Sequence, residues 1–188
     1  MLNNELKLIE SIQKKRSREA SNTIIKIYYK EIYVYIYKQL LDKELSLDIT
    51  QEVFINMIKS IDIYDKKKCS FRTWLYKIAS NKIIDYYRSK SYKKLLKLQS
   101  IDEIDIKSNF NIEDDFIREE KVKEVLKIVN GFESNLQQIF RLKIFSDMTF
   151  KEIGNLLDLS ESTVKTRYYS LIKKIKSIAL EDSYEKRN

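Results

Sequence analysis

The chain has 188 residues, 36 Lys+Arg against 28 Asp+Glu and a formal charge of +8. With no His and a single Cys, it lacks the side chains from which zinc sites are assembled and the imidazole on which most acid–base and triad chemistry depends. One thiol excludes an internal disulfide, and no run of about 18 apolar residues suggests a membrane span.

The absence of Pro, the presence of only two Gly and apolar spacings of three and four predict helices joined by short turns. Many of the apolar residues are Ile and Tyr, which favour strands, but no stretch alternates with period two, so an all-α fold is expected. Ile25, Tyr28, Tyr29, Ile32, Ile36 and Leu40 form one stripe, Val53, Phe54, Met57, Ile58 and Ile61 a second, and Leu75, Ile78, Ala79 and Ile83 a third. These three helices close a small N-terminal domain, residues 1–95.

The charge then changes sign. Residues 1–100 carry 21 basic and 11 acidic side chains, residues 101–120 carry 2 and 8, and residues 121–188 carry 13 and 9. Residues 96–118 are read as an acidic flexible linker between two basic helical domains, with Asp102, Glu103, Asp105, Glu113, Asp114 and Asp115 as its carboxylates.

A C-terminal domain, residues 119–188, opens with Val122, Val125, Leu126 and Val129, stops at Asn130-Gly131 and restarts at Ser134 to Gln137, which has capping-box spacing. Gly131 suits the left-handed position that ends a helix. A second box, Thr149 to Glu152, opens a helix containing Ile153, Leu156 and Leu157. Asp158-Leu159-Ser160 follows, then a long basic helix with Val164, Tyr168, Leu171, Ile172, Ile175 and Ile178 on its buried side.

Two constellations point to nucleic acid. The first is the helix-turn-helix between Phe150 and Lys174, whose second helix should show a polar, basic N-terminal half to base edges in the major groove. Val164 points inward there, while Ser162, Thr163, Lys165, Thr166 and Arg167 reach outward. Gly154 is small where the two helices approach, and Asp158 stands in the turn, where Asp tolerates left-handed geometry. The second runs from Lys66, Lys67 and Lys68 through Cys69, Phe71, Arg72, Trp74 and Lys77 to Asn81 and Arg88. Cations interleaved with rings suit a surface that grips unpaired strands, although Trp74 and Phe71 can equally be core residues. Cys69 lies beside three lysines, yet it has no resolving partner for a redox role.

Asp48 to Phe54, then Phe71-Arg72-Thr73-Trp74-Leu75 with Ile78-Ala79 and Asn81 to Asp85, resemble the first conserved domain of extracytoplasmic-function (ECF) sigma factors of bacterial RNA polymerase. Phe150 to Arg167, with its Glu-Ile-Gly and Thr-Val-Lys segments, resembles their second. The resemblance implies that Asp48, Gln51, Glu52 and Phe54 dock on core RNA polymerase. It implies that Asn81 and the loop from Asp65 to Phe71 read and hold the unpaired minus-ten strand of promoter DNA, and that Lys143, Lys165, Thr166, Arg167 and Tyr169 lie at the minus-thirty-five duplex; Lys173, further along the same helix, is also expected among the DNA-binding residues. An anti-sigma factor is a further implied partner. Ser170 stands where many relatives carry Arg, and Asn130-Gly131-Phe132 replaces a usual Leu-Pro.

The expectation is thus a cytoplasmic alternative sigma factor with no cofactor, no metal, no catalysis of its own, no membrane contact and no small-molecule substrate. The rival reading is a free-standing helix-turn-helix regulator, which would bind duplex DNA alone, usually as a dimer on a palindrome.

Overall fold

The computed structural model describes the backbone of residues 2–97 and 113–185, and side chains within residues 4–90 and 119–179. Among these, the regular structure is entirely helical: α1 (Leu2–Lys15), α2 (Arg18–Leu40), α3 (Lys43–Ser60), a 3₁₀ turn (Ile61–Ile63), α4 (Phe71–Lys97), α5 (Glu113–Asn130), α6 (Ser134–Phe145), α7 (Phe150–Leu157) and α8 (Glu161–Glu185).

Local chemistry sets the ends of these helices. Ser17 caps α2, its side chain accepting from the Ala20 N–H at 3.2 Å, and Asp42 caps α3 by accepting from Leu45 at 3.0 Å. The link between α2 and α3 is so short that Leu41 is left-handed, with φ 52°, its N–H returning to the Tyr37 carbonyl. Of the two boxes expected in the second half, only one forms. Thr149 and Glu152 cap each other reciprocally at the start of α7. At α6 the capping position is Glu133, and Gln137 instead donates to the carbonyls of Asn130 and Phe132. The helix before it also ends differently from expectation: Gly131 has no positive φ, because the N–H groups of Gly131 and Phe132 close tight turns onto Ile128 and Val129.

The three N-terminal stripes do pack together, with a shifted register. The buried ridge of α2 is Ile24, Tyr28, Ile32, Tyr35 and Ile36, while Ile25, Tyr29 and Leu40 are half-buried. On α3 Val53, Phe54 and Met57 are buried and Ile58 is exposed, with Ile61 buried in the 3₁₀ turn that follows; on α4 Leu75, Ala79 and Ile83 are buried. Helix α1, which the apolar spacing did not bring out, contributes Ile9 and Ile12 to the same core.

The two helical domains touch. Ile139, Leu142, Met148, Ile153, Leu156 and Val164 belong to the core built by α1 to α4, so α6 and α7 lie directly against α4. A smaller core of Leu126, Val129, Phe140, Leu171 and Ile175 joins α5, α6 and α8. Of the expected linker, residues 98–112 lie outside the described residues, with Asp102, Glu103 and Asp105 among them; Glu113 to Asp115 fall in the first turn of α5.

Candidate nucleic-acid interface

The turn between α7 and α8 has the geometry its residues call for. Asp158 is left-handed, at φ 54° and ψ 43°, and its N–H reaches the Gly154 carbonyl. A Cβ at Gly154 would stand 2.7 Å from the Leu159 carbonyl oxygen, so the chain can fold back only over glycine. Ser160 then starts α8, its hydroxyl accepting from Thr163 N–H at 3.1 Å. Val164 is buried, as expected, and its burial fixes the rotation of the helix.

That rotation places Ser162, Lys165, Thr166, Tyr169 and Lys173 on one exposed face, at helical spacings of three and four. Thr163 and Arg167 flank it, partly exposed, and the Thr163 hydroxyl is shared with Ser160. Lys165 pairs with Glu161 at 2.7 Å, an exposed contact that keeps the ammonium charged and releasable. Tyr169 is 62% exposed. Lys143 is less free than its neighbours: Nζ donates to the Met148 carbonyl at 2.9 Å and lies 5.0 Å from the Phe150 ring centroid. Phe150 is thereby the platform on which Lys143, Lys165, Tyr168 and Tyr169 meet.

In the first half the loop after the 3₁₀ turn presents Lys66, Lys67 and Lys68 to solvent, with Lys66 3.2 Å from Glu10 of α1. Phe71, expected among the residues that touch nucleic acid, is instead 1% exposed, between Tyr28, Tyr64 and Trp74. A ring so enclosed has no face left for a base, and Phe71 and Trp74 serve as the floor under the loop. Arg72 is exposed but committed to Glu31 and to the Tyr76 ring, 5.0 Å away. Burial pushes the Cys69 thiol above its usual range despite Lys77 and Lys68, so it remains a thiol.

The face expected to dock needs a similar correction. Asp48, Gln51 and Glu52 are exposed together on α3, with Glu52 2.9 Å from Lys82. Phe54 is 4% exposed and stacks on Tyr29. The apolar component of that face is Ile55, 50% exposed, next to exposed Ile58. Sequence spacing alone carried the signal, since 48, 51, 52 and 55 share one side of a helix and 54 does not.

Two predicted contact residues on α4 meet the second half of the chain. Lys77 Nζ donates to the Leu156 carbonyl at 2.9 Å, and Asn81 Oδ1 accepts from Gln138 Nε2 at 2.7 Å. One residue at this junction escaped sequence reasoning altogether. Arg141 of α6 is 0% exposed, donating from Nη1 to Gln39 Oε1 at 2.8 Å and from Nη2 to Asn130 Oδ1, with its guanidinium 5.5 Å from the Tyr87 ring. Among the described residues its Nε has no partner, and burial pulls its pKa below the arginine range. An Arg between Phe140 and Leu142 offers no signal of burial by residue type.

No described helix is long and apolar enough to cross a membrane. Comparison with known proteins bears on both halves. A family described as Sigma-70 region 2 matches residues 24–92, and Sigma-70, region 4 matches residues 123–175. The ECF RNA polymerase sigma factor SigW of Bacillus subtilis is 29% identical over 163 residues, covering 83% of this chain and 87% of SigW. SigM of the same organism is 26% identical over 157 residues, covering 82% and 92%. In fold, the chain is similar to CnrH, solved in complex with the cytosolic domain of CnrY, with a TM-score of 0.59, 16% identity and coverage of 93% of this chain and 96% of that one. It is also similar to the sigma factor RpoE of Bartonella quintana, solved with the anti-sigma factor NepR, with a TM-score of 0.53, 11% identity and coverage of 84% and 95%. Both conserved regions are present in order on one helical chain, and the protein belongs to the ECF sigma factors of the sigma-70 family.

Proposed function

We propose that this chain, an ECF sigma factor directing transcription initiation, divides its work among three surfaces. The face of Asp48, Gln51, Glu52, Ile55 and Ile58 docks on core RNA polymerase in the cytoplasm. Lys67, Lys68, Lys77 and Asn81 engage the unpaired minus-ten strand, cations following phosphates while the Asn81 amide pairs with a base edge. The exposed stripe of α8, Ser162, Lys165, Thr166, Tyr169 and Lys173 with Arg167 beside it, lies at the minus-thirty-five duplex.

The observation that carries this reading is the orientation of α8. Burial of Val164 and the left-handed turn at Asp158 leave its N-terminal half outward and polar, the presentation a groove-reading helix requires. RpoE was solved with the anti-sigma factor NepR and CnrH with the cytosolic domain of CnrY, and an anti-sigma factor is the partner class proposed here.

Run-off transcription with purified core polymerase tests the assignment. Activity on an asymmetric promoter only when core is added supports it; duplex binding by the chain alone, as a dimer on a palindrome, overturns it. Glu52→Lys combined with Ile55→Ser should abolish co-purification with core while the far-ultraviolet helical signal is unchanged. Retained binding removes α3 from the docking role.

A further inference from the structure

The loop that carries Lys66, Lys67 and Lys68 is closed by its own backbone and held from outside by α1. Lys67 N–H donates to Asp65 Oδ1 at 2.8 Å and Lys68 N–H to the Asp65 carbonyl at 3.1 Å, so the lysines leave a tight turn. Its stem is Ile61 to Tyr64, with Ile61 and Tyr64 buried and Asp62 and Ile63 exposed. A turn that is stiff within itself still swings on its stem. Whatever fixes the stem therefore fixes where the lysines point.

Helix α1 supplies that fixture. Glu10 and Gln13 stand three residues apart, the spacing that aligns side chains on one side of a helix, and Arg16 follows directly after the helix in left-handed geometry, at φ 52°. All three reach residues 61–66. Gln13 Nε2 donates to the Ile61 carbonyl at 2.8 Å and to the Tyr64 carbonyl at 3.3 Å, so one amide clamps both ends of the stem. Arg16 pairs with Asp62 between them, and Glu10 with Lys66 just beyond. The helix is itself anchored: Ile9 and Ile12 lie in the core, and Glu5 accepts from Tyr28 OH at 2.8 Å. Exposed ion pairs hold weakly and are screened by salt, whereas the Gln13 bonds are partly buried. Because Glu10 engages Lys66, the cations that the turn presents outward are Lys67 and Lys68.

We propose that Gln13 is a positioning residue for minus-ten recognition, setting through the stem the register in which Lys67 and Lys68 meet the unpaired strand. Phosphate contacts carry no sequence information themselves but fix the register of base contacts, so a loop free to swing blurs the preference set by the base contact at Asn81. This rests on the assignment of the loop and Asn81 to the minus-ten strand. Gln13 acts there without touching DNA.

The test uses the full chain assembled with core polymerase, on promoters varied one base at a time through the minus-ten element. Gln13→Met keeps the size of the side chain and removes its donor. It should lower the ratio of transcript from the preferred sequence to transcript from its single-base variants about fivefold, and speed amide exchange at Tyr64 and Lys68 by a similar factor. Gln13→Lys returns a donor to the same position and should restore both readouts. Glu10→Gln combined with Arg16→Gln should shift them about twofold, less at high salt. That pair keeps the test intact if Gln13→Met fails to fold, because its two sites form exposed ion pairs. Unchanged exchange in the folded variants overturns the clamp. Faster exchange with an unchanged ratio, or with transcript lowered equally on every sequence, overturns its part in recognition. Failure of the underlying assignment reads differently: Lys67→Ala with Lys68→Ala would leave the salt dependence of transcription unchanged, removing the loop from the strand whatever the exchange rates show.

Discussion

The two surfaces assigned to DNA are built on opposite plans. On α8 the polar face stands in solvent, its Tyr169 ring is open, and its Lys165 is held only by an exposed ion pair. On α4 the rings are interior, Phe71 and Trp74 among them, and the outward groups Lys77 and Asn81 are tied to other helices. A duplex offers a preformed groove to a preformed helix, so α8 needs only its orientation. Unpaired DNA has no fixed shape, and the surface proposed to receive it has rigidity underneath and polar groups held by other helices.

The hardest way to break this contrast is to remove a ring from each side. Phe71→Ala should cost about 3–5 kcal/mol of stability by chemical denaturation, whereas Tyr169→Ala should stay within roughly 0.5 kcal/mol and weaken duplex binding. A comparable loss at both positions would contradict the buried floor described for the loop. Gly154→Ala attacks the plan of α8 from inside. Its new methyl group meets backbone rather than a movable side chain, and a cost of about 1–3 kcal/mol is expected in thermal melts, with duplex binding falling in parallel.

Asn81→Ala sharpens the other side. Losing one bidentate base contact costs about 1–3 kcal/mol at a single position, so transcription across a panel of minus-ten variants should fall most at one base. Uniform weakening would mean that Asn81 positions the strand rather than reads it. Smaller still is the Thr149 cap: Thr149→Ala should cost about 1 kcal/mol.

The same cap carries a pH signature. Hydrogen bonds from the Thr149 N–H and hydroxyl hold the Glu152 carboxyl below its ordinary range. A carboxylate depressed in the folded state stabilises above its unfolded pKa, and that contribution is lost as pH falls through the folded value. Melting temperatures of the parent and Glu152→Gln should therefore differ at neutral pH and converge on acidification below the normal carboxylate range. The smallest effect separates the cations: Lys173→Ala should reduce the salt slope of duplex binding by about one without changing sequence preference.

What could be read from residues alone was whatever is decided locally. The Thr149 box, the left-handed Asp158, the close approach at Gly154 and the inward Val164 all depend on neighbours within a few positions, and all are found as expected. Errors arose where a distant element decides. Phe54 and Phe71 look like contact residues because rings beside charges suit binding, yet Tyr29 and Tyr28 of α2, far along the chain, pack against them. Gly131 and the Ser134 box failed because the N–H groups of Gly131 and Phe132 close tight turns onto Ile128 and Val129, and Gln137 is spent on the carbonyls of Asn130 and Phe132. Arg141 could not be found at all, since the groups that receive it include Gln39 and Tyr87, on two other helices far along the chain. Asn130, which departs from the family's usual Leu-Pro, supplies one of the oxygens that hold it.

Helix α1 lies before the segment that matches Sigma-70 region 2, which begins at residue 24. It nevertheless grips the lysine loop: Gln13 Nε2 donates to the carbonyls of Ile61 at 2.8 Å and Tyr64 at 3.3 Å, Glu10 meets Lys66, and Arg16 meets Asp62. Exchange of residues 2–15 between relatives, scored on a library of minus-ten sequences, would show promoter choice travelling with the helix rather than with the loop. Divergence of regulons would then have a route that spares the residues assigned to DNA: two descendants with the same lysine loop would part in promoter choice by changes in the helix that braces it.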